Sequence, residues 1–76
     1  MPKIPIVKSR ELIRVLKKLG FEEFHQVGSH KQFKHSDGRR ITVPVHPSQD
    51  IRRGTMKGII DDVGISVEEF KKYLKK

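Results

Sequence analysis

The chain has 76 residues, with 17 Lys or Arg against nine Asp or Glu, and a formal net charge of +8 at pH 7. It has no cysteine, which excludes a disulfide framework and a thiolate metal site and suits a reducing compartment. No stretch reaches the roughly 20 apolar residues that span a bilayer, and the first residues lack the apolar run of a signal peptide. We therefore expect a single domain over residues 1–76, soluble in the cytoplasm, with no membrane partner and with a basic surface that attracts nucleic acid.

The first predicted helix starts at Ser9, a candidate N-cap, and ends at Gly20. Its apolar side chains recur at helical spacing: Leu12, Ile13, Leu16 and Leu19. Its other side carries a basic stripe, which consists of Arg10, Arg14, Lys17 and Lys18. The stripe either lies along phosphates or is simply a solvated helix face, and the sequence leaves both readings open.

Two strands are predicted next, over residues 21–27 and 30–35, with Gly28-Ser29 as a two-residue type II′ hairpin loop between them. His30 is then the first residue after the turn, and it faces away from Phe33 if Phe33 points into the core. This loop predicts three directly opposed pairs across the hairpin: Phe24 with Phe33, Glu23 with Lys34, and His25 with Gln32.

A third strand follows a turn at Ser36-Asp37-Gly38. A two-residue loop would pair Phe33 with Thr42, whereas a three-residue loop pairs Phe33 with Ile41 and keeps apolar residues together. We therefore predict the three-residue loop, which also pairs Lys31 with Val43, Lys34 with Arg40, Gln32 with Thr42, and His30 with Pro44. If this strand keeps its pleat past Pro44, His46 lies diagonal to His30 at about 7–8 Å between backbones.

The C-terminal part predicts two helices after a polar, turn-like stretch over residues 47–53. The first carries an apolar stripe and ends at Gly64, and the second begins with a capping-box pair, Ser66 and Glu69. Their apolar residues are Met56, Ile59, Ile60 and Val63, then Val67, Phe70 and Leu74. Lysines at the end of the second helix suit its negative pole: Lys71, Lys72, Lys75 and Lys76. We predict an α+β fold of order α-β-β-β-α-α, with helices covering one face of the sheet.

The triplet Gly28-Ser29-His30 with Phe33 behind it, the segment Val43-Pro44-Val45-His46, and Gly54-Thr55-Met56 before an apolar helix together resemble the HicA toxins of toxin–antitoxin pairs. The likeness extends over about residues 9–65. It implies a double-stranded-RNA-binding-like fold, mRNA cleavage with His30 as the catalytic residue, and inhibition by a HicB-type antitoxin protein.

Metal-free RNA cleavage needs a proton acceptor, positive charge and a proton donor, and imidazole can accept or donate protons near neutral pH. We predict that His30 transfers a proton and that His46 is the complementary acid or base. Lys34 and Arg40 would stabilise the negative charge that develops on the phosphate. The product would be a 2′,3′-cyclic phosphate, and the reaction would need no metal or other cofactor. The predicted RNA-binding residues around His30 are Ser29, Gln32, Lys34, Arg40 and Thr42.

The same residues also allow other interpretations. Ser29 as a nucleophile is less favoured, because the turn needs a small polar residue at this position in any case. A zinc site at His25, His30 and His46 is also less favoured, because no acid or thiolate is clearly placed nearby. His25 and His35 are interpreted as polar surface or sheet-edge residues. From other functional classes, the rivals are a non-catalytic RNA-binding module with the same basic face and a structural interaction protein.

Overall fold

The computed structural model describes residues 3–46 and 49–75. The elements in chain order are α1 (Ser9–Lys18), β1 (Glu22–Val27), β2 (His30–Lys34), β3 (Arg40–Pro44), α2 (Arg53–Val63) and α3 (Val67–Lys75). The strands form one antiparallel sheet in the order β1-β2-β3. The predicted α+β class and the α-β-β-β-α-α order are confirmed. Over the described ranges, every helix falls short of the length and apolarity needed to cross a membrane.

The hydrophobic core lies between one face of the sheet and the helices. Phe33 of β2 and Ile41 and Val43 of β3 are almost fully buried on this face. All three helices contribute to the same buried cluster, chiefly through Leu12, Val15, Leu16, Met56, Ile60 and Phe70. Because side chains alternate along a strand, the residues between those buried ones point to the opposite, open face of the sheet.

The start of α1 differs by one residue from the prediction. Its N-cap is Lys8, whereas Ser9 is already helical and is only 4% exposed. Lys8 forms a β-bridge with Asp50, and the neighbouring Ile51 N–H donates to the Val7 carbonyl at 2.9 Å. This pairing keeps the chain extended as far as Lys8, so the helix begins directly after it. The Glu11 carboxylate accepts the Lys8 N–H at 3.0 Å and satisfies one end group of the helix.

The two C-terminal helices end and begin at the predicted residues. Gly64 follows α2 with a φ of +83°, the left-handed conformation that a glycine adopts easily after a helix. The Ser66 hydroxyl accepts the Glu69 N–H at 3.1 Å, which is one half of the predicted capping box. Lys76, the last of the predicted basic residues of α3, lies outside the described residues, as does Pro47 of the turn-like stretch.

Part of the basic stripe on α1 has a structural role. Arg14 donates to the Leu74 carbonyl at 2.9 Å, and Lys18 donates to the Tyr73 carbonyl at 3.3 Å. These carbonyls belong to the last turn of α3, where unsatisfied acceptors and the negative pole of the helix favour cations. The two side chains therefore connect the first helix to the last.

The register between β2 and β3 agrees with the three-residue loop. Phe33 pairs with Ile41, and the four other predicted pairs along these strands are also observed. Gly38, at the end of the loop, has a φ of +98°. The His35 N–H donates to the Arg39 carbonyl at 2.9 Å and closes the loop.

The register between β1 and β2 is partly wrong in the prediction. Val27 pairs with His30 and His25 with Gln32, as expected, but Phe33 lies opposite Glu23 and not Phe24. Likewise Lys34 pairs with Glu22 and not with Glu23, which forms an ion pair with Lys31 at 3.5 Å.

A β-bulge between Glu23 and His25 causes this shift. Phe21 is 1% exposed and must point inward, whereas the hairpin turn requires His25, opposite Gln32, to point outward. Strict alternation from Phe21 would send residue 25 inward, so the two requirements conflict. One extra residue in β1 removes the conflict and turns Phe24 away from the core.

Candidate functional site

The turn that carries the candidate histidine is fixed by hydrogen bonds. Gly28, the first residue of the loop, has a φ of +56°, whereas Ser29, the second, has a negative φ. A type II′ turn has a positive φ at its first central position alone. The Ser29 carbonyl accepts the Val45 N–H at 2.6 Å, and the Gln26 side chain donates to the Gly28 carbonyl at 3.1 Å. These bonds hold the turn against the chain that leaves β3.

His30 lies at the first position of β2, between Val27 on β1 and Pro44 on β3. It is exposed. Among the residues that the structure describes, its imidazole has no hydrogen-bond or ion-pair partner. The ring is thus accessible at the surface.

The open face of the sheet continues from His30 as a polar and then cationic surface. Gln32 and Thr42 form the next outward pair, and Lys34 and Arg40 form the pair beyond it. The structure therefore brings four of the predicted RNA-binding residues to the same face as His30, with half-buried Ser29 in the adjoining turn.

Phe24 is a surface residue, which was not predicted from the sequence. Its side chain is 38% exposed, and both Lys34 and Arg40 lie over its ring, each 5.5 Å from the centroid. The sequence does contain a signal for its position: inward-facing Phe21 and the hairpin turn require opposite alternations of side chains along β1.

His46 lies beyond the end of β3, so the condition for its position diagonal to His30, a strand that keeps its pleat past Pro44, is not met. β3 ends at Pro44; the Val45 N–H still donates to the turn, and the His46 carbonyl accepts the Gln49 N–H at 2.9 Å. A proline cannot donate to a ladder and often ends a strand. His46 is exposed and lines a cavity of about 230 Å³, together with Pro44, Gln49, Asp50, Ile51, Arg52 and Thr55.

His35 belongs to a packed cluster and is not simply a surface residue. Its side chain is 19% exposed, and its ring meets the edge of Phe21 at a centroid distance of 5.1 Å. Its Nδ1 lies 3.1 Å from both the amide nitrogen and a carboxylate oxygen of Asp37. Arg39 donates its backbone N–H to Asp37, which lowers the pKa of that carboxyl below its usual value.

The residues in the described ranges form no group of three or more His, Asp or Glu that could hold a metal ion. His25 lies on the open face opposite Gln32, and His35 points to the other side. The arrangement is an exposed imidazole at one end of a cationic sheet surface.

Fold and surface together define a small, basic α+β protein whose open sheet face suits an anionic chain molecule. The family model for the HicA toxin of bacterial toxin–antitoxin systems matches residues 9–65. The chain therefore belongs to the HicA toxin family. The match includes the Gly28-Ser29-His30 turn, the whole sheet and α2, and it ends before α3. A search of curated proteins found no match.

Proposed function

We propose that this protein is the toxin of a type II toxin–antitoxin pair and a metal-independent endoribonuclease that cleaves mRNA in the cytoplasm. His30 is the proposed catalytic residue, and a HicB-type antitoxin is the proposed inhibitor. The observation that carries the proposal is the exposed imidazole beside a cationic open face, in a chain that belongs to a toxin family whose members are generally ribonucleases.

In the proposed reaction, His30 accepts the proton of a ribose 2′-hydroxyl, and that oxygen attacks the adjacent phosphorus. The bond from phosphorus to the 5′-oxygen breaks, leaving a 2′,3′-cyclic phosphate and a 5′-hydroxyl. His46 is the proposed donor of the proton to the leaving oxygen; its exposure and its position shortly after the Val45 bond to the turn support the assignment. Only RNA carries the attacking hydroxyl.

Lys34 and Arg40 were predicted from the sequence to stabilise the charge of the cleaved phosphate, and we assign them instead to phosphates that flank it. Lys34 is four residues from His30 along β2, so their backbones are about 13 Å apart at the usual rise of a strand. Arg40 lies directly opposite Lys34, at the same level along the strand direction. Gln32 is only two residues from His30 on the same face, and we assign its amide, with Thr42 opposite, to the cleaved phosphate.

The test is cleavage of an end-labelled single-stranded RNA by purified wild type and His30→Ala, with a chelator present. We expect His30→Ala to lower the cleavage rate about 10²–10⁴-fold, the usual contribution of general acid–base catalysis, while RNA binding persists. The wild-type product should carry a 2′,3′-cyclic phosphate. His25→Ala is the matched control, because it removes another exposed imidazole from the same face.

Equal cleavage by wild type and His30→Ala would overturn the assigned catalytic residue. Salt-sensitive RNA binding without any cleavage by wild type would instead favour the non-catalytic RNA-binding module. For the antitoxin, we expect a complex in which the basic face meets acidic surface and His30 is shielded; chemical modification of His30 at the same rate in the complex as in the free toxin would contradict this.

A further inference from the structure

Phe24 is an exception among the four phenylalanines of the chain. Phe21, Phe33 and Phe70 are at most 2% exposed, whereas Phe24 is 38% exposed. The β-bulge turns its ring out of the core, onto the open face that carries Lys34 and Arg40. The ring therefore lies at the surface in contact with two positive charges, and this combination is the feature of interest.

The two cations over Phe24 contact its ring and form no ion pair with the described residues. Lys34 and Arg40 lie directly opposite one another, a placement that is unfavourable for like charges in an isolated sheet. Attraction to the face of the Phe24 ring offsets part of the repulsion. Throughout residues 3–46 and 49–75, neither cation has a carboxylate within ion-pair distance.

Four other basic residues of the described structure have a carboxylate partner. Ion pairs connect Lys8 to Asp50, Lys31 to Glu23, Arg39 to Asp37, and Lys57 to Asp61. The cluster of Phe24, Lys34 and Arg40, called here the Phe24 cluster, thus combines an exposed aromatic ring with two unneutralised positive charges. A nucleotide offers the matching pair of features, a flat base and a phosphate.

We propose that the Phe24 cluster is a stacking site for one unpaired base of single-stranded RNA, with the adjoining phosphates bound by Lys34 and Arg40. The identity of the ligand rests on the proposed ribonuclease function. The site lies about 13 Å along β2 from His30, so the stacked base is a few nucleotides from the cleaved bond. Since a base must leave its helix to stack on a protein ring, the site selects single-stranded over double-stranded RNA near the point of cleavage.

The test measures RNA binding without cleavage, by using His30→Ala as the parent protein. Phe24→Leu keeps apolar bulk but removes the aromatic ring, Phe24→Tyr keeps the ring, and Ile6→Ala is the control because Ile6 is an exposed apolar residue outside the sheet. Affinity for a short single-stranded RNA is compared with affinity for a series of the same RNA, each with one base removed at a successive position.

We expect Phe24→Leu to weaken binding of the intact RNA about fivefold to 100-fold, as the loss of one stacked base does. Phe24→Tyr and Ile6→Ala should bind like the parent. Removal of one particular base should weaken binding to the parent protein and abolish the difference between the parent and Phe24→Leu. Because binding is measured in a protein that lacks His30, failure of the catalytic proposal does not affect this result.

Equal affinity of Phe24→Leu and the parent for the intact RNA would overturn the stacking site, whatever the outcome of the cleavage assay. The stacking site would also be overturned if Phe24→Leu lost the same affinity for every RNA of the abasic series. Phe24 would then not contact one particular base. If Phe24→Leu weakened binding to the antitoxin partner but not to RNA, the Phe24 cluster would be a protein interface and the proposal would also be wrong.

Discussion

Asp37 connects the loop between β2 and β3 to the end of α2. Its carboxylate accepts the Arg39 backbone N–H at 3.1 Å and the Arg39 guanidinium at 2.8 Å. That guanidinium also donates to the Val63 carbonyl and lies 5.1 Å from the centre of the Phe21 ring. One exposed acid therefore orients an arginine that contacts the core, the loop and a helix C-terminus.

We expect stability to depend on the ionisation of Asp37. The Arg39 backbone hydrogen bond lowers the pKa of this carboxyl in the folded protein, so its contribution is present above the unfolded pKa and is lost as pH falls through the folded one. Asp37→Asn should lower the melting temperature at pH 7, and the difference from wild type should shrink as pH falls below about 4. Thermal unfolding followed by circular dichroism from pH 7 to pH 2 measures it.

The control for this experiment is Asp62→Asn, which changes an exposed carboxylate on α2. Its melting temperature should follow the wild-type curve more closely than that of Asp37→Asn. If the difference in melting temperature between wild type and Asp37→Asn were the same at every pH, the ionisation of Asp37 would not be its cause. The variant would then be destabilised by changed shape or hydrogen bonding alone.

At the scale of elements, the β1–β2 hairpin depends on one glycine. Gly28 has a φ of +56° and a Cβ added there would meet no atom within 4 Å, so Gly28→Ala changes only the backbone preference. We expect it to destabilise the protein by about 1–3 kcal/mol, the usual cost of a residue held in an unfavourable backbone region. Gly58→Ala is the opposite case: Gly58 lies inside α2 with equally open space, and it should gain about 0.8–1 kcal/mol from helix propensity.

Chemical denaturation of both variants gives these free energies of unfolding. A neutral or stabilising Gly28→Ala would contradict the type II′ turn. Because His30 is the second residue after Gly28, we also expect Gly28→Ala to lower RNA cleavage more than its loss of stability explains, whereas Gly58→Ala should leave cleavage unchanged.

The β2–β3 pairing could be predicted from the sequence because a single criterion decides it. Only the three-residue loop places Phe33 opposite Ile41 on the buried face, and a slip by one residue would turn Ile41 outward. The same reasoning failed in β1, because matching Phe24 with Phe33 ignored the inward position of Phe21, which sets the alternation from the other end of the strand. The predicted register satisfied the hairpin turn alone, whereas β1 must satisfy both the turn and the burial of Phe21.

The site could be predicted in part for a related reason. His30 follows a turn whose type is encoded by Gly28, so its place at the start of an open face follows from local chemistry. The position of His46 depends on how the chain leaves β3 after Pro44, and the packing of His35 depends on Phe21 from a distant part of the sequence. Such tertiary contacts have no local sequence signal.

At the scale of the whole molecule, the net charge of +8 has different roles on different sides. On α1, Arg14 and Lys18 bond to the end of α3 and stabilise the fold. On the open sheet face, the side chains of Lys34 and Arg40 lie over the Phe24 ring and form no ion pair with the described residues. Arg14 therefore has a structural role on α1, which is neither of the two readings of the basic stripe, phosphate contact or a solvated helix face.

This division predicts how salt affects RNA binding. Each phosphate that a protein neutralises on single-stranded nucleic acid contributes about −0.7 to the slope of log affinity against log salt concentration. In the His30→Ala parent, Arg40→Ala should therefore make the slope shallower by about 0.7, whereas Arg14→Ala should leave the slope unchanged and lower the melting temperature. Fluorescence anisotropy with a labelled single-stranded RNA, at salt concentrations from about 50 to 200 mM, measures both slopes. If Arg14→Ala changed the slope as much as Arg40→Ala, α1 would lie along phosphates as well, and the RNA path would have to extend from the open face around the edge of the sheet to the helical side.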